Sequence, residues 1–116
     1  MDFIKHNNTW FWGKSTIIVT NDGCGVVTVQ FENDCPEEAN ICGLSVYIDK
    51  RNNGYGNMLL KEAEQVAKEN GKKYLLISAE HNSWIEYWYI RQGFKKKKLI
   101  PEYKNIMLLE KVINNE

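Results

Sequence analysis

The sequence predicts a mixed α/β (α+β) fold whose strands and helices follow one another in the order βββ-α-β-α-ββ. Two observations lead to this prediction. Short runs rich in β-branched residues lie in the first and last thirds of the chain, and the middle has apolar residues at helical spacing. A length of 116 residues suits one compact domain and is too short for two, so we expect residues 1–116 to form a single domain.

The first half of the chain is predicted to contain three strands. Residues 16–20 (TIIVT) are mostly β-branched, and Asn21-Asp22-Gly23 is a turn signal that leads into residues 25–31 (GVVTVQF), so these segments should form a hairpin. Residues 32–40 are acidic and contain a proline, which indicates an exposed loop. Residues 41–48 (ICGLSVYI) carry apolar side chains of both parities, as expected for a central strand covered on two faces.

The second half is predicted to contain two helices and three strands. A polar loop at residues 51–56 (RNNGYG) precedes a helix whose apolar residues share one face and which ends at Asn70-Gly71. Residues 73–79 form a short apolar strand, and Ser83 with Glu86 forms a capping box that begins a second helix. Residues 95–100 and 106–113 are the last two strands, the first of them a lysine-rich edge strand.

Composition excludes several classes of protein. Fifteen Lys and Arg balance fifteen Asp and Glu, whereas nucleic-acid and cationic membrane binders carry a basic excess. No apolar run is long enough to span a membrane and the first residues lack a secretory core, so we expect a soluble cytoplasmic protein. Three cysteines without C-x-x-C spacing indicate reduced thiols, and with two histidines we expect no metal site.

The loop before the first helix is the most informative segment for chemistry. Gly54 and Gly56 allow close approach to the backbone, and the loop leads directly into the positive end of a helix dipole. Free amides at such a position bind phosphate without a particular side chain, and Arg51 can add a charge-assisted contact. The loop is neither a P-loop nor a complete G-x-G-x-x-G fingerprint. The residues alone therefore indicate an anion site of unspecified ligand.

Two motifs together resemble the GNAT superfamily of acyl-CoA-dependent N-acyltransferases. Residues 51–56 match its R/Q-x-x-G-x-G/A motif, and Val46 stands five residues earlier, where the family commonly has valine. Residues 82–94 (NSWIEYWYIRQGF) are similar to its N-x-x-A-x-x-x-Y-x-x-x-G-F pattern, with Ile85 in place of the alanine. The resemblance spans residues 16–111 and implies a mostly antiparallel sheet with splayed central strands.

The resemblance also implies roles for individual residues. Backbone around Val46 and Tyr47 would contact pantetheine, Asn82 would lie beside the coenzyme, and Tyr89 would be the general acid that protonates the departing thiolate. A phenol with a pKa of about 10 holds its proton at neutral pH. The loop that would hold the pyrophosphate of acetyl-CoA comprises Arg51, Asn52, Asn53, Gly54, Tyr55, Gly56 and Asn57.

Other features leave the acceptor and the general base open. Asn40 stands where some family members have a glutamate, so the base is Glu38, Glu80 or a water path. Only about fifteen residues precede Thr16, where the family has a strand and two helices, so we expect either an open acceptor groove or a homodimer that covers it. The acidic loop (Glu32, Asp34, Glu37 and Glu38) hints at a cationic acceptor.

The leading hypothesis is an acetyl-CoA-dependent N-acetyltransferase. It would transfer the acetyl group by direct attack of a primary amine, on a small molecule or a protein. The alternative is a catalytically inactive module of the same fold that binds coenzyme A or a partner.

Overall fold

A computed structural model describes residues 2–51, 53–103 and 105–114. In these residues the chain forms one seven-stranded sheet of order β1-β2-β3-β4-β5-β7-β6 and two α-helices. None of the helices in this described part is long and apolar enough to cross a membrane. The elements are β1 (Phe3–Trp10), β2 (Gly13–Thr20), β3 (Gly25–Glu32), β4 (Glu38–Val46), a 3-10 turn (Ile48–Lys50), α1 (Tyr55–Glu69), β5 (Tyr74–Glu80), α2 (Trp84–Arg91), β6 (Lys95–Leu99) and β7 (Ile106–Val112).

The predicted elements are present in the predicted order. β2 and β3 form the antiparallel hairpin, and β4–α1–β5 is the crossover between parallel strands. The lysine-rich strand β6 lies at an edge of the sheet with all five residues exposed. The structure adds a strand, β1, which pairs antiparallel with β2 along eight residues at the other edge.

The hydrophobic core lies on one face of the sheet, where both helices pack. Buried side chains of β3 (Val27, Val29) join one cluster with residues of α1 and with Tyr89 of α2. On the opposite face most neighbouring side chains, such as Thr28 and Ser78, are partly or fully exposed, whereas Leu76 of β5 is buried. Alternation of this kind is typical of an antiparallel sheet covered on one side.

The prediction that the third strand is covered on both faces is wrong, although β4 is central in the sheet. A β-bulge explains its apolar residues of both parities. Val26 pairs with Ser45 and Thr28 with Cys42, so β4 contains one extra residue, and Gly43 there has a φ of 68°. The bulge shifts the parity, so that Ile41 before it and Val46 after it face the same core.

The central strands β4 and β5 diverge. Their parallel pairing covers three residue pairs, from Glu38 with Tyr74 to Asn40 with Leu76. Beyond these pairs β4 continues to Val46 and β5 to Glu80 without pairing to each other. The two strands therefore form a V that is closed near Glu38 and open near Val46 and Glu80, which agrees with the splayed strands implied by the resemblance.

Candidate functional site

A cleft of about 700 Å³ lies at the open end of the V, between the end of β4, the start of α1 and one face of α2. Its walls combine apolar side chains with cations. The lining residues are Leu44, Ser45, Val46, Lys50, Arg51, Gly54, Tyr55, Gly56, Asn57, Trp84, Ile85, Trp88, Tyr89 and Arg91.

The N-terminus of α1 opens into this cleft without a cap from the protein. Its N-cap residue is Gly54, which has a φ of 82° and supplies no side-chain hydrogen bond, and the first turn has no acidic residue. The first hydrogen bond of the helix is made by Met58 N–H, which donates to the carbonyl of the N-cap residue, Gly54 O, at 3.0 Å. The preceding amides point out of the helix at the positive end of its dipole. This geometry suits an anion.

The charges around the cleft are one-sided. Lys50, Arg51 and Arg91 line it, and no acidic side chain does so among the described residues. The cleft is thus locally cationic in a chain whose net charge is zero. The Arg51 side chain folds back onto the end of β4, where its Nε donates to Val46 O at 3.1 Å.

At the end of β4 the backbone of Tyr47 and that of Val46 point in different directions. Tyr47 N–H donates to Cys24 O at 2.9 Å, so this amide is already paired with the residue just before β3. That bond makes the pair Gly25 and Val46 the non-hydrogen-bonded type, in which the N–H and C=O groups point away from the partner strand. The backbone of Val46 therefore faces the gap, whereas the Tyr47 side chain is 66% exposed outside the lining.

Tyr89 of α2 lies in the wall of the cleft with its ring buried. The ring makes edge contacts with Trp88 and Phe94, at centroid distances of 5.3 and 5.8 Å. Burial raises the pKa of its phenol to about 12. The hydroxyl therefore keeps its proton well above neutral pH.

Two of the predicted asparagines, Asn53 and Asn82, lie outside the lining of the cleft. Both are exposed, and Asn52 lies outside the described residues. Asn82 has a φ of 62°, and its backbone N–H donates to Glu86 Oε1 at 3.3 Å.

The two carboxylates considered as bases lie at opposite ends of the V. Glu38 is at the closed end, where its carboxylate is 3.8 Å from Lys97 Nζ. Glu80 is exposed at the last position of β5, at the open end. The acidic loop before β4 is also at the closed end, about 25 Å of strand from the cleft. That distance argues against a role for the loop in holding an acceptor there.

The two tryptophans of α2 that line the cleft were not identified from the sequence. Trp84 and Trp88 are four residues apart on α2, so both reach the cleft, and a Cβ added to Gly56 would lie 3.3 Å from Trp88 Cζ2. The helical spacing of Trp84, Ile85 and Trp88 beside the motif tyrosine was the available signal. Lys50 and Arg91 carried no such signal, because only the fold brings them to one cleft.

The capping box also holds an unpredicted buried cluster. Ser83 Oγ accepts from Glu86 N–H at 3.3 Å, as predicted. The Glu86 carboxylate is fully buried and lies 2.9 Å from His81 Nδ1 and 3.6 Å from Lys96 Nζ. Burial alone would raise the pKa of Glu86, but hydrogen bonds from His81 and Asn82 N–H, with Lys96 nearby, lower it. The cluster fastens the turn between β5 and α2.

Comparisons with known proteins agree with this fold. The family model described as an acetyltransferase (GNAT) domain matches residues 8–96. A GNAT acetyltransferase from Elizabethkingia anophelis with acetyl-CoA bound is 18% identical, with 95% of this chain and 97% of that chain covered and a TM-score of 0.69. No curated protein sequence matches the chain.

Two further solved structures are similar. An acetyltransferase from Bacillus cereus is 26% identical, covers 84% of this chain and 71% of its own, and has a TM-score of 0.66. The N-acetylglutamate synthase from Neisseria gonorrhoeae, complexed with coenzyme A and N-acetyl-glutamate, is 17% identical, with coverages of 87% and 26% and a TM-score of 0.72. Because the family model covers most of the sequence, the chain belongs to the GNAT family of acetyltransferases.

Proposed function

We propose that the protein is an acetyl-CoA-dependent N-acetyltransferase that acts on a primary amine. One observation carries the proposal: an uncapped helix N-terminus and three cations open into the cleft where β4 and β5 diverge. A pyrophosphate matches the amides of α1, with Lys50, Arg51 and Arg91 to complement its charge. The apolar wall of Leu44 and Val46 matches the rest of an extended thioester.

The C=O of Val46 would give the pantetheine arm a hydrogen-bond acceptor. The N–H and C=O groups of Val46 face the gap, and the C=O already accepts a bond from Arg51. A ligand amide can take over that acceptor when Arg51 turns toward the phosphates. Val46 N–H is also the amide that would polarise the thioester carbonyl, because Tyr47 N–H is occupied by Cys24 O.

Acetyl transfer would proceed by direct attack of the amine nitrogen on the thioester carbon. A carbon–nitrogen bond forms, the carbon–sulfur bond breaks, and the thiolate takes a proton from the Tyr89 hydroxyl. Solvent returns that proton to the phenolate. The raised pKa keeps the phenol protonated at neutral pH but makes it a weaker acid, so the proton would move only once negative charge has developed on the sulfur.

The acceptor amine would approach from the uncovered face of the sheet, opposite the helices. The amine must lose a proton before attack, since a lysine-like amine has a pKa of about 10.4. Glu80 and water are the routes that we propose for that proton, because Glu38 lies at the closed end of the V and is paired with Lys97. The uncovered face would also accommodate a second copy of the chain, in line with a homodimer.

The similar structures support this proposal. The Elizabethkingia anophelis protein has acetyl-CoA bound, and nearly its whole chain aligns with this one. The Neisseria gonorrhoeae enzyme has coenzyme A and an acetylated amino acid bound. The ligands of both structures are of the kind that we propose for the cleft of this chain.

A catalytically inactive coenzyme A-binding module remains the second candidate. It is favoured by one observation, namely that no carboxylate lines the cleft in the described part of the chain. A module and an enzyme would bind the coenzyme equally, and only turnover separates them.

We expect acetyl-CoA, but not NAD, to raise the melting temperature of the protein. At 100 times its Kd a ligand adds about 2.7 kcal/mol of stability, which corresponds to about 10 °C for a chain of this size. Thermal unfolding by circular dichroism measures the shift. Absence of a shift with acetyl-CoA at millimolar concentration would remove both candidate functions.

Two glycine variants are expected to test whether the ligand sits at the start of α1. Gly54 and Gly71 flank the helix with φ values of 82° and 74°, and an added Cβ meets nothing at either position. Each change to alanine should cost about 1 kcal/mol of stability because of the left-handed backbone. Only Gly54→Ala should also weaken acetyl-CoA binding, by about tenfold in calorimetry, since its methyl group crowds the approach to the amides. Equal affinities for the two variants would place the ligand elsewhere.

A further inference from the structure

The start of α1 is fixed from outside the helix. Its N-cap residue Gly54 makes no side-chain hydrogen bond, so the helix has no cap of its own to hold the turn that faces the cleft. Instead, the hydroxyl of Tyr55, the first helical residue, donates a hydrogen bond to Asp22 Oδ2 in the turn between β2 and β3. The contact joins segments that are 33 residues apart in the sequence.

Asp22 is itself held in a fixed position. Its Oδ1 accepts from the Thr20 hydroxyl at 2.7 Å and from Cys24 N–H at 3.0 Å. Thr20 is fully buried, and its oxygen also accepts from the amides of Cys24 and Gly25. The Asp22 carboxylate is thus part of a hydrogen-bond network that links the β2–β3 turn to the first turn of α1.

The charge states of the two partners favour the contact over a wide pH range. The hydrogen bond from Tyr55, with those from Thr20 and Cys24, lowers the pKa of Asp22 to about 2. The same bond raises the pKa of Tyr55 to about 12. Between these limits the pair is a carboxylate that accepts and a phenol that donates.

We propose that Asp22 is a positioning residue for the coenzyme, acting through Tyr55 to hold the first turn of α1 in the orientation that receives the pyrophosphate. This inference rests on the proposed function. Asp22 would not touch the ligand. Its effect would be to fix in advance the amides of Tyr55, Gly56 and Asn57, so that binding does not have to order them.

The sign of one effect distinguishes this role from simple electrostatics. A carboxylate near a pyrophosphate repels it, so removal of the Asp22 charge should tighten binding if charge were its only influence. Loss of a positioning contact has the opposite sign and weakens binding. Asp49 in the 3-10 turn beside Lys50 is a matched control, because it carries the same charge near the cleft and does not bond to Tyr55.

Calorimetric titration with coenzyme A of the wild type, Asp22→Asn, Tyr55→Phe, the double variant and Asp49→Asn tests the proposal. We expect Kd to rise about fivefold in both Asp22→Asn and Tyr55→Phe, as for loss of an exposed charge-assisted hydrogen bond, and no further in the double variant. Asp49→Asn should bind as the wild type or slightly tighter. In turnover, the KM for acetyl-CoA should rise in Asp22→Asn while kcat is retained.

Two results would overturn the proposal. One is tighter or unchanged binding by Asp22→Asn, and the other is additive losses in the double variant, which would mean that the two residues act separately. Melting temperatures of the four variants show whether each is folded, and Tyr55→Phe leaves the β2–β3 turn intact should Asp22→Asn disturb it. If the wild type itself does not bind coenzyme A, the proposed function fails, and that result differs from either of these.

Discussion

Tyr89→Phe is expected to lower kcat by about 100-fold or more, with little change in the affinity for acetyl-CoA. The change removes one oxygen from a buried ring and leaves its contacts with Trp88 and Phe94 in place. A general acid contributes about 10² to 10⁴ in rate, because without it the thiolate must leave unprotonated or wait for water. The loss should therefore be confined to the chemical step. Steady-state release of free thiol measures it, with calorimetry for the binding of acetyl-CoA.

The neighbouring Tyr87→Phe is the matched control. Tyr87 lies on the same helix, is 59% exposed and does not line the cleft, so its hydroxyl should be dispensable. Because the pKa of Tyr89 is about 12, the wild-type rate should show no descending limb from this group between pH 7 and about pH 10. If Tyr89→Phe has the same kcat as the wild type, Tyr89 is not the general acid.

Glu86→Ala is expected to lower the free energy of unfolding by about 2 to 4 kcal/mol. Glu86 is fully buried, and its carboxylate accepts from Asn82 N–H and contacts His81 and Lys96. The change leaves a cavity and unpairs these groups, although His81 and Lys96 keep some contact with water, which reduces the cost. Urea unfolding measures the difference. Glu69→Ala, at an exposed position near the end of α1, should change stability by less than about 0.5 kcal/mol.

The loss of unfolding free energy in Glu86→Ala is expected to depend on pH in one direction. The pKa of Glu86 is lowered in the folded protein, so its ionised form contributes stability above the ordinary pKa of about 4.5. That contribution is lost as the pH falls through the lowered value. The gap between wild type and Glu86→Ala should therefore shrink as the pH falls below about 4. A gap that widens in acid would contradict the assignment of Glu86 as an ionised, hydrogen-bonded group.

The sequence predicted those parts of the fold whose signals are local. The hairpin, the helix with its apolar stripe and the capping box each follow from residues close together in the chain. β1 had no such signal, because seven of its eight residues are exposed and it is a strand only through its partner β2. The bulge at Gly43 was hidden for a similar reason, since its extra residue is visible only against the register of β3.

The same distinction applies to the candidate site. The loop at Gly54 and Gly56 was predictable, because a glycine-bearing turn before a helix has its chemistry in the backbone. The pairing of Tyr47 N–H with Cys24 O and the contact of Tyr55 with Asp22 depend on segments brought together by the sheet. The buried state of Glu86 was also unpredictable, because a glutamate at that helix position ordinarily reaches the exposed N-cap.

Amine-dependent turnover of acetyl-CoA tests the central claim most directly. The wild type would be incubated with acetyl-CoA and a panel of primary amines that includes amino acids, polyamines, aromatic amines and a lysine peptide. Free thiol and the mass of each amine would be followed together. We predict that at least one amine accelerates thiol release and gains one acetyl group, and that Tyr89→Phe abolishes both signals. Binding of acetyl-CoA without acetylation of any amine would contradict an acetyltransferase and leave the coenzyme A-binding module.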